Sequence, residues 1–385
     1  MSEIRVNSLG NESNTGGPEL SGITEFSGQK YFIPPRGTTA QRPSGCPAGS
    51  IRFNTDSAHL EYWNGLVWLE FEASSVELGV NSLADGVSAR GTGTRGLFMG
   101  SSGTISNIIE YISISTLGNG TDFGNLTDQR GGARSAASST RGICAGGNST
   151  PFFDIIDFVT FSSTGNADDF GDLTEARTSS GSASNSIRGA FLGGQTGTGP
   201  VVRSNVIDYI TIATLGNAID YGDLNYTVDG LPGGICGSPI RGVIAGGSSP
   251  AVNNIISYVT ISSTGNALDF GDLTKAKELI GTGSNIIRGM FAGGDAGPNV
   301  REIDFITIAT TGNSQLFGDL QVEAKETAGV SSPTRVCFGG GSSTPSTTNT
   351  ISFVTIATVG DAQDFGDLDT ARKSMSACSN GHGGL

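Results

Sequence analysis

The side chains of this chain that could act as acids, bases or nucleophiles begin with two histidines. His59 lies among short strand-like segments near the start, and His382 lies close to the C-terminus. Neither belongs to an obvious constellation of nucleophile, base and orienting carboxylate. We therefore interpret both as structural or solvent-exposed residues, and we predict no catalytic residue.

Pairs of aspartates three residues apart are the next candidates, because they recur within the phrase Asp-Phe-Gly-Asp-Leu. The pairs are Asp169/Asp172, Asp220/Asp223, Asp269/Asp272 and Asp364/Asp367. They could form a ring of acidic sites, bind calcium weakly through oxygen ligands or act in catalysis. Catalysis normally needs one asymmetric site, however, and a calcium loop needs more oxygen ligands in one short segment. We predict that these carboxylates cap turns as part of a repeat framework. The framework set is Asp172, Asp223, Asp272, Asp319 and Asp367.

An arginine opens a second recurrent phrase, Arg-Gly-x-(Phe/Ile/Cys)-x-Gly-Gly, in slightly varied copies. The copies begin at Arg95, Arg141, Arg188, Arg241, Arg288 and Arg335, with gaps of 46, 47, 53, 47 and 47 residues. These arginines could clamp a carboxylate or phosphate of a ligand. Because they recur once per repeat, we predict instead that each braces the framework. Its expected partner is a carboxylate in its own or the next repeat.

Composition and charge argue against several function classes. The formal net charge is −14, whereas binding to nucleic acid or an anionic membrane through charge needs basic patches. The five cysteines form no Cys-x-x-Cys pair, so neither a disulfide framework nor a zinc site is expected. No segment has the apolar length of a membrane span, and the start of the chain is too polar for a signal peptide. We expect folding in a reducing cytoplasm, with no membrane insertion, no metal and no cofactor.

Short strands are the elements that would position these residues. Each Arg-Gly phrase ends a strand in a Gly-Gly turn, and a β-branched, aromatic run such as 205–212 follows it. A Thr-x-Gly-Asn turn then leads into Asp-Phe-Gly-Asp-Leu. A period of about 48 residues with this composition predicts an all-β fold, a β-propeller of six blades. The tail 373–379 matches the strand before each phrase, so we predict that it closes the ring beside the first repeat.

These units resemble the kelch repeat over roughly residues 88–380. The shared features are four short strands, a Gly-Gly pair after the second, an aromatic-x-x-Leu in the fourth and an Arg shortly beyond, with Phe in place of the usual Trp. The resemblance implies a six-bladed kelch-like propeller. The Ser-x-Asp-x-Gly-x-x-Trp box of sialidase-type propellers is absent, and so are the His ligands that a kelch copper oxidase would need.

Three further segments precede the repeats. Residues 1–27 are polar and rich in Gly, Asn and Ser, so we expect an extended segment ordered by a partner. Residues 28–73 contain three strand signals, and Asn64-Gly65 predicts a hairpin with a type I′ turn. This small β module would be marginal alone and should gain stability by association. Residues 74–90 are predicted to be a linker to the propeller at 91–385.

The N-terminal part resembles a module of bacteriophage tail-fibre and other virion proteins. The residues that carry this resemblance are 37–43, 48–56 and 61–68. The opening segments 4–9 and 16–19 are similar to leader segments of phages that infect marine cyanobacteria, and the Phe-Gly-Asp-Leu repeats are similar to repeats in virion proteins of that group. The resemblance implies a virion protein assembled in the host cytoplasm.

The loops after the Gly-Gly pairs vary in length and chemistry, while the strands stay nearly constant. This pattern is expected of a rigid scaffold that displays contact loops on one face, although unconstrained surface loops would also produce it. The candidate binding residues in these loops are Phe152, Phe153, Val201, Val202, Arg203 and Asn253.

These features predict a non-enzymatic phage virion protein, a fibre or appendage of tail, neck or head. Residues 1–73 would attach it to other virion proteins and form a homotrimer, as the resemblance to fibre proteins implies. The propeller would adhere to a glycan or protein of the host surface, with strength from multiple copies. One alternative is a glycoside hydrolase or lyase that depolymerises host polysaccharide with Asp/Glu pairs near a central channel. Another is a purely structural decoration protein of capsid or tail.

Overall fold

Strands and turns provide the regular structure of this all-β protein. The computed structural model describes residues 34–56, 59–70, 94–197, 202–231, 233–343 and 346–385. The predictions for residues 1–27 and 74–90 lie outside these ranges. The chain divides into two compact units, Met1–Leu78 and Gly79–Leu385. In the described ranges, the 3-10 turn Thr39–Gln41 is the only helical element, and no helix there is long and apolar enough to cross a membrane.

The first unit contains a four-stranded sheet with one polar, covered face. Its strands, paired in chain order, are Arg36–Gly37, Ile51–Asn54, His59–Trp63 and Trp68–Glu70. Glu61 is fully buried and accepts hydrogen bonds from Arg42 at 2.6 Å and from Asn54 at 3.2 Å. Burial alone would raise the pKa of the Glu61 carboxyl, but these hydrogen bonds and the Arg42 charge outweigh it and hold the pKa below its usual range. An ionised carboxylate thus attaches the loop that contains Arg42 to the sheet.

A hairpin forms at Asn64, but its turn differs from the predicted one. Trp63 pairs with Trp68, so Leu66 and Val67 lie in the turn instead of in the strand. The Asn64 side chain accepts hydrogen bonds from the backbone N–H groups of Leu66 and Val67, both at 2.8 Å. Because an asparagine side chain can close a turn in this way, a longer turn replaces the two-residue type I′ turn.

The second unit contains six repeats of short antiparallel strands. Repeats 1 to 6 share three strands each: Arg95–Ser101, Ser106–Ser113 and Thr121–Asn125; Arg141–Ala145, Ile155–Thr160 and Asp168–Asp172; Arg188–Thr196, Val202–Thr211 and Ile219–Asp223; Arg241–Ala245, Ile255–Thr260 and Leu268–Asp272; Arg288–Ala292, Glu302–Thr307 and Gln315–Asp319; Arg335–Gly339, Thr350–Thr355 and Gln363–Asp367. An inner strand completes repeats 1, 2, 3, 5 and 6: Ser376–Ser379, Arg134–Ala137, Gly181–Ser184, Gly281–Ser284 and Ala328–Ser331. Short additional strands are Arg177–Thr178, Gly233–Gly234, Ser342–Ser343 and Ser346–Thr347.

The C-terminal strand closes the series, as the sequence predicts. Ser376–Ser379 pairs antiparallel with Arg95–Ser101 of the first repeat. Consecutive repeats also meet where the Asp-Phe-Gly-Asp strand of one contacts the Thr-x-Gly-Asn turn of the next. The N–H of Gly216 donates to the carbonyl of Phe170 at 2.9 Å, and that of Gly118 donates to Phe365 at 3.0 Å. The second of these bonds joins repeat 6 to repeat 1, so the repeats form a closed cycle of contacts.

Repeat 4 departs from the pattern, because its inner segment lies at the centre of the cycle. Gly233–Gly234 pairs in parallel with the inner strands of repeats 5 and 6, and it contacts those of repeats 1, 2 and 3. A Cβ on Gly234 would lie 2.2 Å from the Thr282 carbonyl oxygen, so this position requires glycine. The backbone of repeat 4 therefore fills the space that the other inner strands surround.

Apolar side chains from neighbouring repeats pack together in each core cluster. Phe98 of repeat 1 belongs to one cluster with Val330 and Phe365 of repeat 6. Phe291 of repeat 5 belongs to another with Phe270 of repeat 4. Because the clusters lie between repeats, each repeat depends on its neighbour to bury its apolar surface.

Candidate functional site

The recurrent arginines bind carbonyl groups, whereas the sequence predicted carboxylates. The Nη1 of Arg141 donates to the Ile212 carbonyl at 3.0 Å, and that of Arg288 donates to the Ile356 carbonyl at 2.7 Å, each in the following repeat. Each guanidinium also lies 4.7–4.9 Å from the centre of an aromatic ring. Carbonyl oxygens and a ring face satisfy the cation, so no carboxylate is needed. The same arrangement holds at Arg95, Arg141, Arg188, Arg241, Arg288 and Arg335.

The framework aspartates contact the next repeat through their backbone. The N–H of Asp172 donates to Asn217 Oδ1 at 3.2 Å, and its carbonyl accepts from the Ala218 N–H at 2.7 Å. The prediction that these carboxylates cap turns is wrong for the described residues, because the neighbouring turn already satisfies the strand edge. Equivalent backbone bonds occur at Asp223, Asp272, Asp319 and Asp367.

Four buried ion pairs link successive repeats, and the sequence analysis missed them. They are Arg130–Asp157 at 2.9 Å, Arg177–Asp208 at 2.5 Å, Lys277–Asp304 at 3.1 Å and the close pair Arg372–Glu110. In the other two repeats the equivalent positions hold Val228 with Ser257 and Ala324 with Ser352. At each interface between successive repeats, buried charges are therefore present on both sides or on neither side. A comparison of the residues four places after each Phe-Gly-Asp-Leu could have revealed this matching.

The predicted contact loops lie on one side of the cycle, which we call the loop face. It comprises the loops after the Gly-Gly pairs and the connections from each outer strand to the next inner strand. Two of its candidates hold their own loop in place. The Phe153 ring lies 6.0 Å from the buried Arg130 guanidinium, and Asn253 Nδ2 donates to the Gly247 carbonyl at 3.1 Å. Phe152 is half-buried in the same loop as Phe153.

Repeat 3 contributes the longest loop of this face. Its hairpin extends between Arg188–Thr196 and Val202–Thr211, with Val202 exposed and Val201 outside the described residues. Arg203 Nε lies 2.8 Å from Asp229 Oδ1 of the next repeat. The hairpin therefore offers an apolar side chain, while its arginine is used in an ion pair.

A cycle of backbone hydrogen bonds surrounds the centre of the loop face. The N–H of Ser179 donates to the Gly132 carbonyl at 2.9 Å, and the N–H of Gly132 donates to the Ser374 carbonyl at 2.9 Å. In each repeat, a single residue shortly before the inner segment has a φ between 49° and 65°, a backbone region that L-residues populate rarely. The six residues are Gly132, Ser179, Gly230, Leu279, Glu326 and Ser374. Non-glycine residues in this conformation concentrate at functional sites, which makes this centre the candidate site.

Charged side chains surround only part of this centre. The residue before each left-handed position is charged in four repeats and uncharged in the other two. In order from repeat 1 these residues are Lys373, Gly131, Thr178, Asp229, Glu278 and Lys325. Lys373 Nζ lies 2.8 Å from Glu326 Oε2, and Lys325 Nζ lies 2.6 Å from Asp295 Oδ2. Burial and the nearby Asp229 and Asp295 raise the pKa of the Glu278 carboxyl. The charges of the loop face are thus distributed asymmetrically around the centre.

The C-terminal residues cover the centre on the opposite face. His382 is buried; its Nε2 donates to the Ala137 carbonyl at 3.0 Å and its Nδ1 accepts from the Gly384 N–H at 3.0 Å. This pattern requires the neutral tautomer, and burial lowers the His382 pKa to about 4. The other histidine, His59, belongs to the first unit and lies 3.5 Å from Glu70.

The buried thiols are unpaired, and the acidic residues form no metal-holding group in the described part of the chain. Cys144, Cys236, Cys337 and Cys378 are buried free cysteines, and burial raises the pKa of Cys236 to about 12. No group of three or more His, Cys, Asp or Glu there could hold a metal ion.

Comparison with known proteins adds no family to this description. No protein-family model matches the chain, and no curated protein matches it. The loop face, where the repeats differ from one another, is therefore the feature of the molecule that bears on function.

Proposed function

We propose that the repeats form a six-bladed kelch-like β-propeller and that the protein is a non-enzymatic component of a phage virion. The inner strands that complete five of the six repeats, the closed cycle of contacts and the C-terminal strand of repeat 1 support the propeller. The resemblance of residues 37–68 and of the repeats to phage proteins supports the virion. Its place there would be a fibre or appendage.

The observation that carries the adhesion proposal is the asymmetry of the loop face on a regular framework. Arginine, glycine and aromatic positions repeat around the cycle, whereas the charges near the centre and the repeat 3 hairpin do not. A rigid scaffold with one irregular face suits binding to a surface glycan or protein. Weak contacts would gain strength from several copies on one particle.

Association of copies through the first unit is supported by an uncovered apolar face of its sheet. Ile51, Leu60 and Leu69 are exposed and lie on one face, because Ile51 and Leu69 both pair with Tyr62 while Leu60 pairs with Phe53. We propose that this face binds two further copies of the chain in a homotrimer. Leu60→Asp should then yield monomers in light scattering, whereas Leu66→Asp in the exposed turn should leave the trimer intact. A monomeric wild-type protein would contradict the proposal.

The adhesion proposal is tested with purified full-length protein on host cells and on their envelope polysaccharide. We expect saturable binding, competition with phage adsorption and no release of saccharide products. Val202→Asp on the hairpin should weaken binding about tenfold, while Val359→Asp in an exposed turn on the opposite face should not change it.

Two other outcomes would replace this function. Depolymerisation of the polysaccharide would establish the glycosidase or lyase alternative, although Gly233–Gly234 and the C-terminal residues occupy the centre where its channel would lie. Unchanged adsorption after removal of residues 88–385, together with less stable particles, would establish a decoration protein.

A further inference from the structure

The centre of the loop face contains a small pit that every repeat helps to form. Its volume is about 40 Å³. Its lining includes Arg134, Ser179, Leu231, Leu279, Glu326 and Ser374. One water molecule needs roughly 10–15 Å³ of such space, so the pit can hold a small polar group but not a whole sugar ring. The pit therefore selects by the chemistry of one group.

Arg134 is a buried cation of this pit without a carboxylate partner. Its side chain is 4% exposed, and its Nη1 and Nη2 donate to the carbonyls of Ala133 and Leu231, both at 2.8 Å. A guanidinium has five N–H donors, and Nε has no hydrogen-bond partner. Arg134 forms no ion pair within the described residues. Burial lowers its pKa to about 10, although the Glu326 carboxylate acts to raise it, and the group stays charged at neutral pH.

Arg134 is exceptional among the buried cations of the repeats, because the others form ion pairs. Arg130, Arg177, Lys277 and Arg372 each face a carboxylate within 3.1 Å. A buried charge without a partner is strongly destabilising, and the chain avoids it at those four positions. A cation left unpaired at the centre of the candidate site is consistent with a counter-ion supplied by a ligand.

The remaining groups of the pit are compatible with an anion. Glu326 is the only carboxylate among the described residues of the lining, and it accepts hydrogen bonds from Lys373 Nζ at 2.8 Å and from Ser374 Oγ at 2.8 Å. The charges of Arg134 and Glu326 in the lining cancel, and Lys373 beside Glu326 adds one positive charge next to the pit. Thr327 Oγ1 is buried in the lining without a hydrogen-bond partner, and Ser179 is half-exposed at the pit. The lining therefore contains hydroxyl groups as well as the cation.

We infer that this pit binds a small oxyanion group, a carboxylate or a sulfate, with Arg134 as its charge partner. Two sources could supply the group: an acidic saccharide of a host surface, or a free ion in solution. The saccharide source rests on the proposed adhesive function. The oxyanion site itself does not.

The inference is tested by calorimetric titration of the full chain with galacturonic acid, galactose, acetate and sulfate. We expect the three anions to bind with weak affinity that falls as salt rises, and galactose not to bind. Ser179→Asp places a carboxylate at the pit, and we expect it to weaken binding about tenfold or more. Ser179→Asn is the matched neutral control, since Asn and Asp both tolerate the left-handed backbone. Arg134→Gln should abolish binding if that variant folds.

The outcomes separate this site from the adhesive function. Tighter binding of galacturonate than of acetate supports a saccharide source, and equal binding supports a free ion. No binding of any anion, or equal binding by Ser179→Asp and Ser179→Asn, would overturn the site. If galacturonate binds but host cells do not, the site stands and adhesion fails. If no anion binds and the Ser179→Asp variant adheres to host cells as the wild type does, adhesion stands and the site fails.

Discussion

Single residues in the repeats follow a rule of charge matching across the interfaces. Arg177 and Asp208 are both fully buried, and Thr174 also donates its hydroxyl to the Asp208 carboxylate at 2.5 Å. Repeat 4 has Val228 and Ser257 at the equivalent positions. Loss of one partner would leave a buried charge unpaired, whereas loss of both removes the desolvation cost as well. Both kinds of interface, with a buried ion pair and without one, thus occur in the same chain.

This rule predicts the result of a double-mutant cycle. Asp208→Ser alone should lower the free energy of unfolding by about 3 kcal/mol, because the buried Arg177 keeps only the partly exposed Glu175, whose Oε1 lies 3.6 Å from Nη1, as a counter-charge. Arg177→Val combined with Asp208→Ser recreates the repeat 4 pair and should recover most of that loss. Denaturant titration of the two single variants and the double variant measures the coupling. A double variant as unstable as Asp208→Ser would show that charge matching is not the cause.

His382 predicts a pH dependence of stability. Its folded-state pKa of about 4 lies below the unfolded value of 6.5, so the unfolded chain binds the proton more readily. The stabilisation is complete above pH 6.5 and is lost as the pH falls towards 4, up to roughly 3 kcal/mol. The wild type should therefore lose more stability between pH 7 and pH 5 than His382→Gln, measured by denaturant titration. Parallel losses in both proteins would assign the acid sensitivity to other groups.

At the level of the element, the strand that carries Asp-Phe-Gly-Asp needs its glycine for contact with the next repeat. A Cβ on Gly271 would lie 2.5 Å from the carbonyl of Gly312 in the neighbouring turn. Gly312 has nearly the same φ, 150° against 148°, but its Cβ would meet nothing within 4 Å. The two positions are therefore matched in φ and differ in the contact.

The pair gives a controlled prediction. Gly271→Ala should be less stable than Gly312→Ala by about 1–3 kcal/mol, because a methyl group forces the strand and the turn apart. Thermal unfolding of both variants measures the difference. Equal destabilisation would mean that backbone conformation alone explains the conserved spacing of glycines within this chain.

The strands and their order could be predicted from the sequence, because turn residues and apolar runs are local signals. The Asp-Phe-Gly-Asp strand, the Gly-Gly turns and the C-terminal strand at 376–379 all follow from such patterns. The partners of the recurrent arginines could not be predicted, because a guanidinium can donate hydrogen bonds to a carbonyl or to a carboxylate, and only the fold decides which of them is near. The position of Gly233–Gly234 at the centre also depends on contacts among all the repeats.

The candidate site was harder to predict than the framework, since repetition identifies what is shared. Arg134, Lys373 and Glu326 stand at positions where the repeats differ, and nothing in their local sequence distinguishes them from surface charges. Of the loop candidates, Phe153 and Asn253 support their own loop, and Arg203 pairs with Asp229. Val202 alone among those described is free of such a role and exposed.

For the molecule as a whole, we expect the contacts that close the cycle to determine the stability of the folded chain. Strand Ser376–Ser379 supplies the inner strand of repeat 1 through backbone pairing with Arg95–Ser101, and residues 380–385 cover the centre beside it. Removal of residues 375–385 would expose two strand edges, lower the unfolding midpoint by roughly 10 °C or more and promote aggregation. Removal of residues 380–385 keeps the strand and should cause a smaller shift without aggregation.

A synthetic peptide of residues 375–385, added to the chain that lacks those residues, should restore the unfolding midpoint, as measured by calorimetry and size-exclusion chromatography. If the chain without residues 375–385 were as stable as the chain without 380–385, the repeats would hold together pairwise, and closure would not be what stabilises them.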